Sequence, residues 1–242
     1  MSYKENPKTK GSGIICAIPQ EGICPKNCPD CFFQSGRSYL EPLIENLPNL
    51  PSAEEAFGRV VRVNDGNDSN VDRQLVLGCT YGYEDKFFNT AIAKDLEGFP
   101  GPVVLTINPG ELTDQDFFQL EHTPNNLMFV RFRANTWNVD ILDDAILWYT
   151  SRRVPIVITF MAYFTEDIPQ QHKEYYVWQK RTLNSYWAPT KRAWDFILHN
   201  HRGAPYVYTC GRDAKTHGCI HCGVCIREYY NTKERLRNNE DR

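Results

Sequence analysis

No apolar run in this chain is long enough to cross a bilayer. The longest, Val154 to Phe164, falls well short of the roughly 20 residues a spanning helix needs. Met1 to Gly13 is polar and lysine-bearing, with none of the apolar core that marks a secretory signal. A dominant charge of either sign is missing as well. Thirty acidic residues against 27 basic ones leave a net charge of −3, so composition provides no global attraction to nucleic acid or an anionic membrane. Solenoid-type repeats are absent too. Together these absences favour a cytoplasmic protein with no membrane partner and leave nucleic-acid binding unsupported.

What is present is a 242-residue chain with 41% hydrophobic residues, enough to bury a real core in one large domain. It also carries nine cysteines, seven of them in two tight clusters. In a reducing compartment such clusters favour metal or cluster ligation over a disulfide framework. Cys16 and Cys79 stand alone and read as small hydrophobes.

Gly13 to Ile18 is a short apolar run bounded by glycine and proline, which reads as a buried strand delivering the chain into the first cysteine cluster. Further strands are expected at Val60 to Val63, Lys86 to Asn89, Pro102 to Ile107, Leu127 to Phe132 and Val154 to Phe160, and a last one at Pro205 to Thr209. Helices are expected near Ser52 to Phe57, from about Val71, at Asn138 to Thr150 and at Thr190 to His199. In the Asn138–Thr150 segment Val139, Leu142, Ile146 and Tyr149 share one face. Strand–helix alternation argues for an α/β fold with a mainly parallel sheet, and about six strands suggest a partial barrel or an open sheet. The expected organisation is a flexible tail over 1–12, a core domain over 13–200 and a cysteine-rich segment over 201–242.

The first cluster, Cys24-Pro25-Lys26-Asn27-Cys28-Pro29-Asp30-Cys31, lets one loop aim three sulfurs at one centre while leaving a fourth ligand unassigned. Its CxxxCxxC spacing, directly after a first strand, resembles the radical S-adenosylmethionine (radical SAM) superfamily. That resemblance implies a partial (β/α)6 barrel and a 4Fe-4S cluster on Cys24, Cys28 and Cys31 whose remaining iron takes SAM. It also implies an electron donor such as flavodoxin or ferredoxin. The alternative is a structural zinc site that borrows a distant fourth ligand.

In open or barrel α/β folds ligands bind at the C-terminal ends of the strands. Asn64, Asp65, Gly66, Asn67 and Asp68 follow the second strand, where the resemblance expects contacts to the SAM amino group. Their carbonyl and carboxylate oxygens suit an ammonium, and the glycine permits close backbone approach. Asp65, Asn67 and Ser69 alternate like a calcium loop, but Asn70 and Val76 replace its turn glycine and terminal glutamate. Asn108 ends a later strand, where the resemblance implies a contact to SAM ribose or carboxylate. Arg131 and Arg133 alternate around Phe132, so both face one side of their strand and suit a carboxylate, with a surface salt bridge as the plain alternative.

The second cluster, Cys210, Cys219, Cys222 and Cys225, contains a CxxCxxC run with Tyr229 where a ferredoxin would carry its next cysteine. Cys210 is available as the fourth thiolate, and the spacing favours an iron-sulfur cluster over zinc because zinc ribbons place two CxxC pairs well apart; the radical SAM resemblance implies an auxiliary 4Fe-4S cluster here. His217 and His221 are candidate substitute ligands. The function that the radical SAM resemblance implies is reductive cleavage of SAM to a 5′-deoxyadenosyl radical that abstracts hydrogen from an unidentified small metabolite, nucleotide or partner protein. A non-catalytic iron-sulfur or zinc protein is the alternative.

Overall fold

The computed structural model describes residues 2–28, 31–36, 38–108, 120, 122–164, 167–182, 184–211 and 218–240. Short β-branched and aromatic runs supply the strands. These are Ile14–Ala17 (β1), Val60–Val63 (β2), Lys86–Thr90 (β3), Val103–Ile107 (β4), Leu127–Ala134 (β5), Ile156–Phe160 (β6), Tyr176–Gln179 (β7), Tyr186–Pro189 (β8) and Val207–Thr209 (β9). Among the described residues seven of them form one sheet in the order β1-β2-β3-β4-β5-β6-β9, with every neighbouring pair parallel. The fold is α/β, and the sheet curls into a half-barrel. The seventh strand of the sheet, β9, lies within the run Pro205 to Thr209 expected as the last strand, and it pairs in parallel with β6. There the Cys210 amide donates to the Ile158 carbonyl at 2.8 Å.

The helices are Leu43–Asn46 (α1), Ala53–Ala56 (α2), Arg73–Thr80 (α3), Val139–Thr150 (α4), Lys191–Ile197 (α5), Cys219–Cys222 (α6) and Val224–Glu240 (α7). Their starts follow from local chemistry. Ser52 and Glu55 form a reciprocal capping box on α2, and Thr190 caps α5 by accepting from the Ala193 amide. Crossover helices between sequential parallel strands fall on one face, the outside of the curl. There Leu142, Ala145, Ile146 and Tyr149 of α4, with Val76 of α3 and Ile197 of α5, cover Val61, Val63, Leu105, Val130, Phe132 and Ile158.

The inner face is stratified, because successive side chains on one face of a strand are two residues apart. Val60, Phe87, Val104, Phe129 and Val157 form an apolar floor, sealed by Val224 and Tyr229 of α7. One step towards the C-terminal ends of the strands, the same face carries Arg62, Asn89, Thr106, Arg131 and Thr159. Helix α7 is pinned from beneath: Tyr229 Oη and Lys233 Nζ both donate to Asp85 Oδ1, at 2.9 and 2.6 Å, and Arg235 Nη2 donates to the Leu127 carbonyl at 2.7 Å.

Residues 2–12, expected as a flexible tail, pack along the edge strand β1. Thr9 and Asn6 are buried, Tyr3 Oη donates to the Cys16 carbonyl at 2.8 Å, and the Cys219 amide donates to the Lys8 carbonyl at 2.9 Å. The aromatic stretch after β6, which shows little periodicity in sequence, folds into the antiparallel β7–β8 hairpin. No helix among the described residues is long and apolar enough to cross a membrane.

Candidate metal and cofactor site

The first cysteine loop leaves β1 through Ile18, which exchanges two backbone hydrogen bonds of 2.9 Å with Asn49. Gln20 then reaches across to the loop after β2, donating to the Asp68 and Val71 carbonyls at 2.8 and 3.0 Å. Cys24 is buried, Cys28 and Cys31 are partly exposed, and none of the three is in a disulfide. Gln34 Nε2 donates to the Cys24 carbonyl at 2.6 Å, folding the loop back on itself. Burial raises the Cys24 thiol pKa, and backbone hydrogen bonds from Lys26 and Asp68 to its sulfur oppose the rise. Asp68 thus brings the second loop against the first. Pro29 and Asp30 of this loop, like His217 further on, lie outside the described residues.

The two loops are locked together by a close approach. The ring of Phe33 lies against Gly66, where a Cβ would fall 2.1 Å from Phe33 Cδ2. On the outer side, Phe32 meets Phe164 with ring centroids 5.9 Å apart, and Phe164 stacks on Tyr186 of β8 at 5.7 Å. Asn184, in the hairpin turn, donates to the Ser35 carbonyl at 2.7 Å. The hairpin is therefore fastened to the cysteine loop.

The five residues after β2 divide into distinct roles. Asp68 is committed to structure: its carboxylate accepts from the Asn70 amide at 2.8 Å, Thr90 Oγ1 at 2.7 Å and the Ala91 amide at 2.6 Å, so it ties the ends of β2 and β3 together. Asp65 turns away towards the N-terminal segment, accepting from Asn6 Nδ2 at 2.5 Å. Asn64 adopts a left-handed backbone with φ of 60° and donates to Ser69 Oγ at 3.1 Å. Its Oδ1 is buried without a hydrogen-bond partner, as are Gln20 Oε1, Asp65 Oδ1 and Asn67 Nδ2. Buried polar groups without partners are uncommon in folded proteins, and here four gather around one pair of loops.

Further along the strand ends, Arg131 and Arg133 lie on the same inner face of β5. Arg133 Nη1 donates to Asn108 Oδ1 at 2.8 Å, and Arg131 Nη1 donates to Asn89 Oδ1 at 3.1 Å. The expected contacts are thus neighbours across the β4–β5 ends. Sequence reasoning missed Arg62, whose signal was a single cation within the apolar run Val60–Val63, and it also missed Asn89 and Gln20.

The second cluster forms where β9 ends and α6 begins. Cys222 Sγ approaches the Thr209 carbonyl at 3.7 Å, and Cys222 and Cys225 pack against the apolar floor of the half-barrel. Gly223, at φ of 67°, makes the left-handed break between α6 and α7. Burial pushes the Cys225 thiol up to about 11 and raises Cys219 as well, while the guanidinium groups of Arg62 and Arg131 pull both down. Among the described residues no three Cys, His, Asp or Glu side chains are gathered closely enough to hold a metal ion as they stand. The donor chemistry nonetheless suits soft metal ions: three thiols in one loop, and four more in the C-terminal segment.

Comparison with known proteins finds no matching family model, no matching curated protein and no matching solved structure.

Proposed function

We propose that this chain is a radical SAM enzyme, with the half-barrel as a partial (β/α)6-type core and a C-terminal auxiliary iron-sulfur centre. One observation carries the reading. The CxxxCxxC loop leaves the C-terminal end of β1 at the edge of a curled, all-parallel sheet and meets the loop after β2 through Phe33 and Gly66. The loop that carries the three thiols thereby meets the loop after β2, at the strand ends where α/β folds bind ligands.

Cys24, Cys28 and Cys31 would hold the first cluster through three irons, leaving one coordination position for the SAM amino and carboxylate groups. With cluster and SAM bound, the chemistry supplied is one-electron cleavage to methionine and a 5′-deoxyadenosyl radical. The chain's own residues bind and orient. Asn64 Oδ1 and Gln20 Oε1, both buried acceptors lacking a partner, suit an ammonium. Arg133 with Asn108 suits a carboxylate or a ribose hydroxyl. Asp68 and Gly66 serve by fixing the loop, and Asp65 by anchoring it to Asn6. Phe32, Phe164 and Tyr186 form an aromatic contact between the cysteine loop and the hairpin that holds the two together.

The electron donor is a small redox protein such as flavodoxin or ferredoxin. The substrate class is a small metabolite, a nucleotide or a partner protein. Anaerobic reconstitution with iron and sulfide, followed by dithionite and SAM, tests the reading through the release of 5′-deoxyadenosine. A chain that binds its metal without cleaving SAM is instead an electron carrier or a metal-stapled fold.

A further inference from the structure

The polar layer just above the inner floor contains two cations that make no ion pair among the described residues, although Asp65 stands near the first of them. Arg62 on β2 and Arg131 on β5 are crowded by surrounding atoms yet keep some accessible surface, as expected of side chains lining an interior hollow. Among the described residues neither makes an ion pair with a carboxylate. Arg62 Nε is buried with no hydrogen-bond partner, and Thr159 Oγ1 on the same layer also lacks one. Arg131 is satisfied only by neutral oxygens, those of Asn89 and Thr106. Asp65 and Cys16 neighbour Arg62 from the β1 side.

Two like charges in one hollow repel, and an enclosed cation is costly without an anion. The other groups facing both arginines are the thiols of Cys219 and Cys225, with Cys210 beside Arg131. This proximity follows from the packing: Cys222 and Cys225 rest on the floor residues, and Arg62 and Arg131 are two positions along from Val60 and Phe129 on that face. A divalent ion, or a 4Fe-4S core of equal charge, becomes a dianion when bound by four thiolates. Its charge would offset the two guanidiniums, adding to that of Asp65 beside Arg62.

We propose that Arg62 and Arg131 are the counter-ions of a four-thiolate metal centre built from Cys210, Cys219, Cys222 and Cys225 inside the half-barrel, where they stabilise its negative charge and set its potential. This rests on reading those four cysteines as a metal centre.

The experiment uses the full chain with Cys24, Cys28 and Cys31 replaced by Ala, so that only the second centre loads. Iron and sulfide are reconstituted anaerobically, metal is counted, and the midpoint potential is followed by EPR. Arg131→Met is expected to shift the reduction equilibrium at least tenfold against the reduced form, about 59 mV for a one-electron couple, and Arg131→Lys to restore most of it. If the site takes zinc, the readout is retention against a chelator, expected to weaken at least tenfold in Arg131→Met and recover in Arg131→Lys. Should Arg131→Met fail to fold, Arg62→Met carries the same expectation. Loading must also raise the melting temperature of the parent chain. Unchanged potential and affinity in a folded, loaded variant, or an unchanged melting temperature on loading, overturns the counter-ion role. A parent chain that takes up no metal overturns the four-thiolate centre itself.

Discussion

The ring of Phe33 occupies the space in which any side chain at position 66 would have to lie, with its Cδ2 only 2.1 Å from a Cβ built on Gly66. Phe33 is buried, so the ring cannot swing away cheaply. Gly66→Ala is expected to cost about 1–3 kcal/mol, as overpacking does in a filled core. It should also part the cysteine loop from the loop after β2. Denaturant melts measure the first effect. Iron analysis measures the second, with loss expected at the first centre and retention at the second.

Asp68 belongs to the frame of the site. Its buried carboxylate satisfies the Asn70 and Ala91 amides and the Thr90 hydroxyl. Asp68→Ala strands those donors and is expected to lower stability by about 2–4 kcal/mol. Arg133→Ala, which loses a partly exposed side chain at a strand end, should leave the melting temperature nearly unchanged and weaken SAM binding in calorimetry. Equal destabilisation by both variants would mean that the β5 end is also part of the frame.

Asp85 ties α7 to the sheet, and its pKa is lowered chiefly by the hydrogen bond from Lys233, with Tyr229 helping and burial opposing. A depressed carboxylate contributes stability above its unfolded pKa and loses it as the pH falls through the folded value. Asp85→Asn is therefore expected to lower stability by about 1 kcal/mol at neutral pH. The gap between variant and parent should close on acidification below about pH 4. Urea melts across pH 3 to 7 check the sign; a gap that widens in acid would contradict it.

The two cysteine clusters should load independently. Cys28→Ala is expected to remove the iron of the first centre alone, and Cys222→Ala that of the second alone. Iron and sulfide counts together with EPR signals distinguish them. Zinc bound in the C-terminal segment of protein purified without added metal would overturn the iron-sulfur assignment there.

Local patterns carried most of the fold into view. The β-branched runs at Val60–Val63 and Val103–Ile107, the face shared by Leu142, Ile146 and Tyr149, and the capping residues Ser52 and Thr190 each announce an element through short-range chemistry. The β7–β8 hairpin was not legible, because Trp178 and Trp187 pair across strands while tight alternation along each strand is missing. Nor was the long helix α7, whose polar surface masks the few residues, Val224 and Tyr229 among them, that meet the floor. Packing of residues 2–12 depends on single hydrogen bonds such as Asn6 to Asp65, which leave no periodic trace. The candidate site was legible as cysteine spacing and strand-end polarity. Which polar groups hold the frame and which stay unpartnered depends on tertiary neighbours: Asp68 is taken up by Thr90, while Asn64 keeps a free carbonyl oxygen.

The most direct measurement of the central claim is 5′-deoxyadenosine formation by anaerobically reconstituted protein given dithionite and SAM. The expected result is nucleoside release by the parent chain and by Cys222→Ala, with none from Cys28→Ala. A fully iron-loaded parent that releases none, or a Cys28→Ala variant that releases as much as the parent, would contradict a SAM-cleaving centre on Cys24, Cys28 and Cys31.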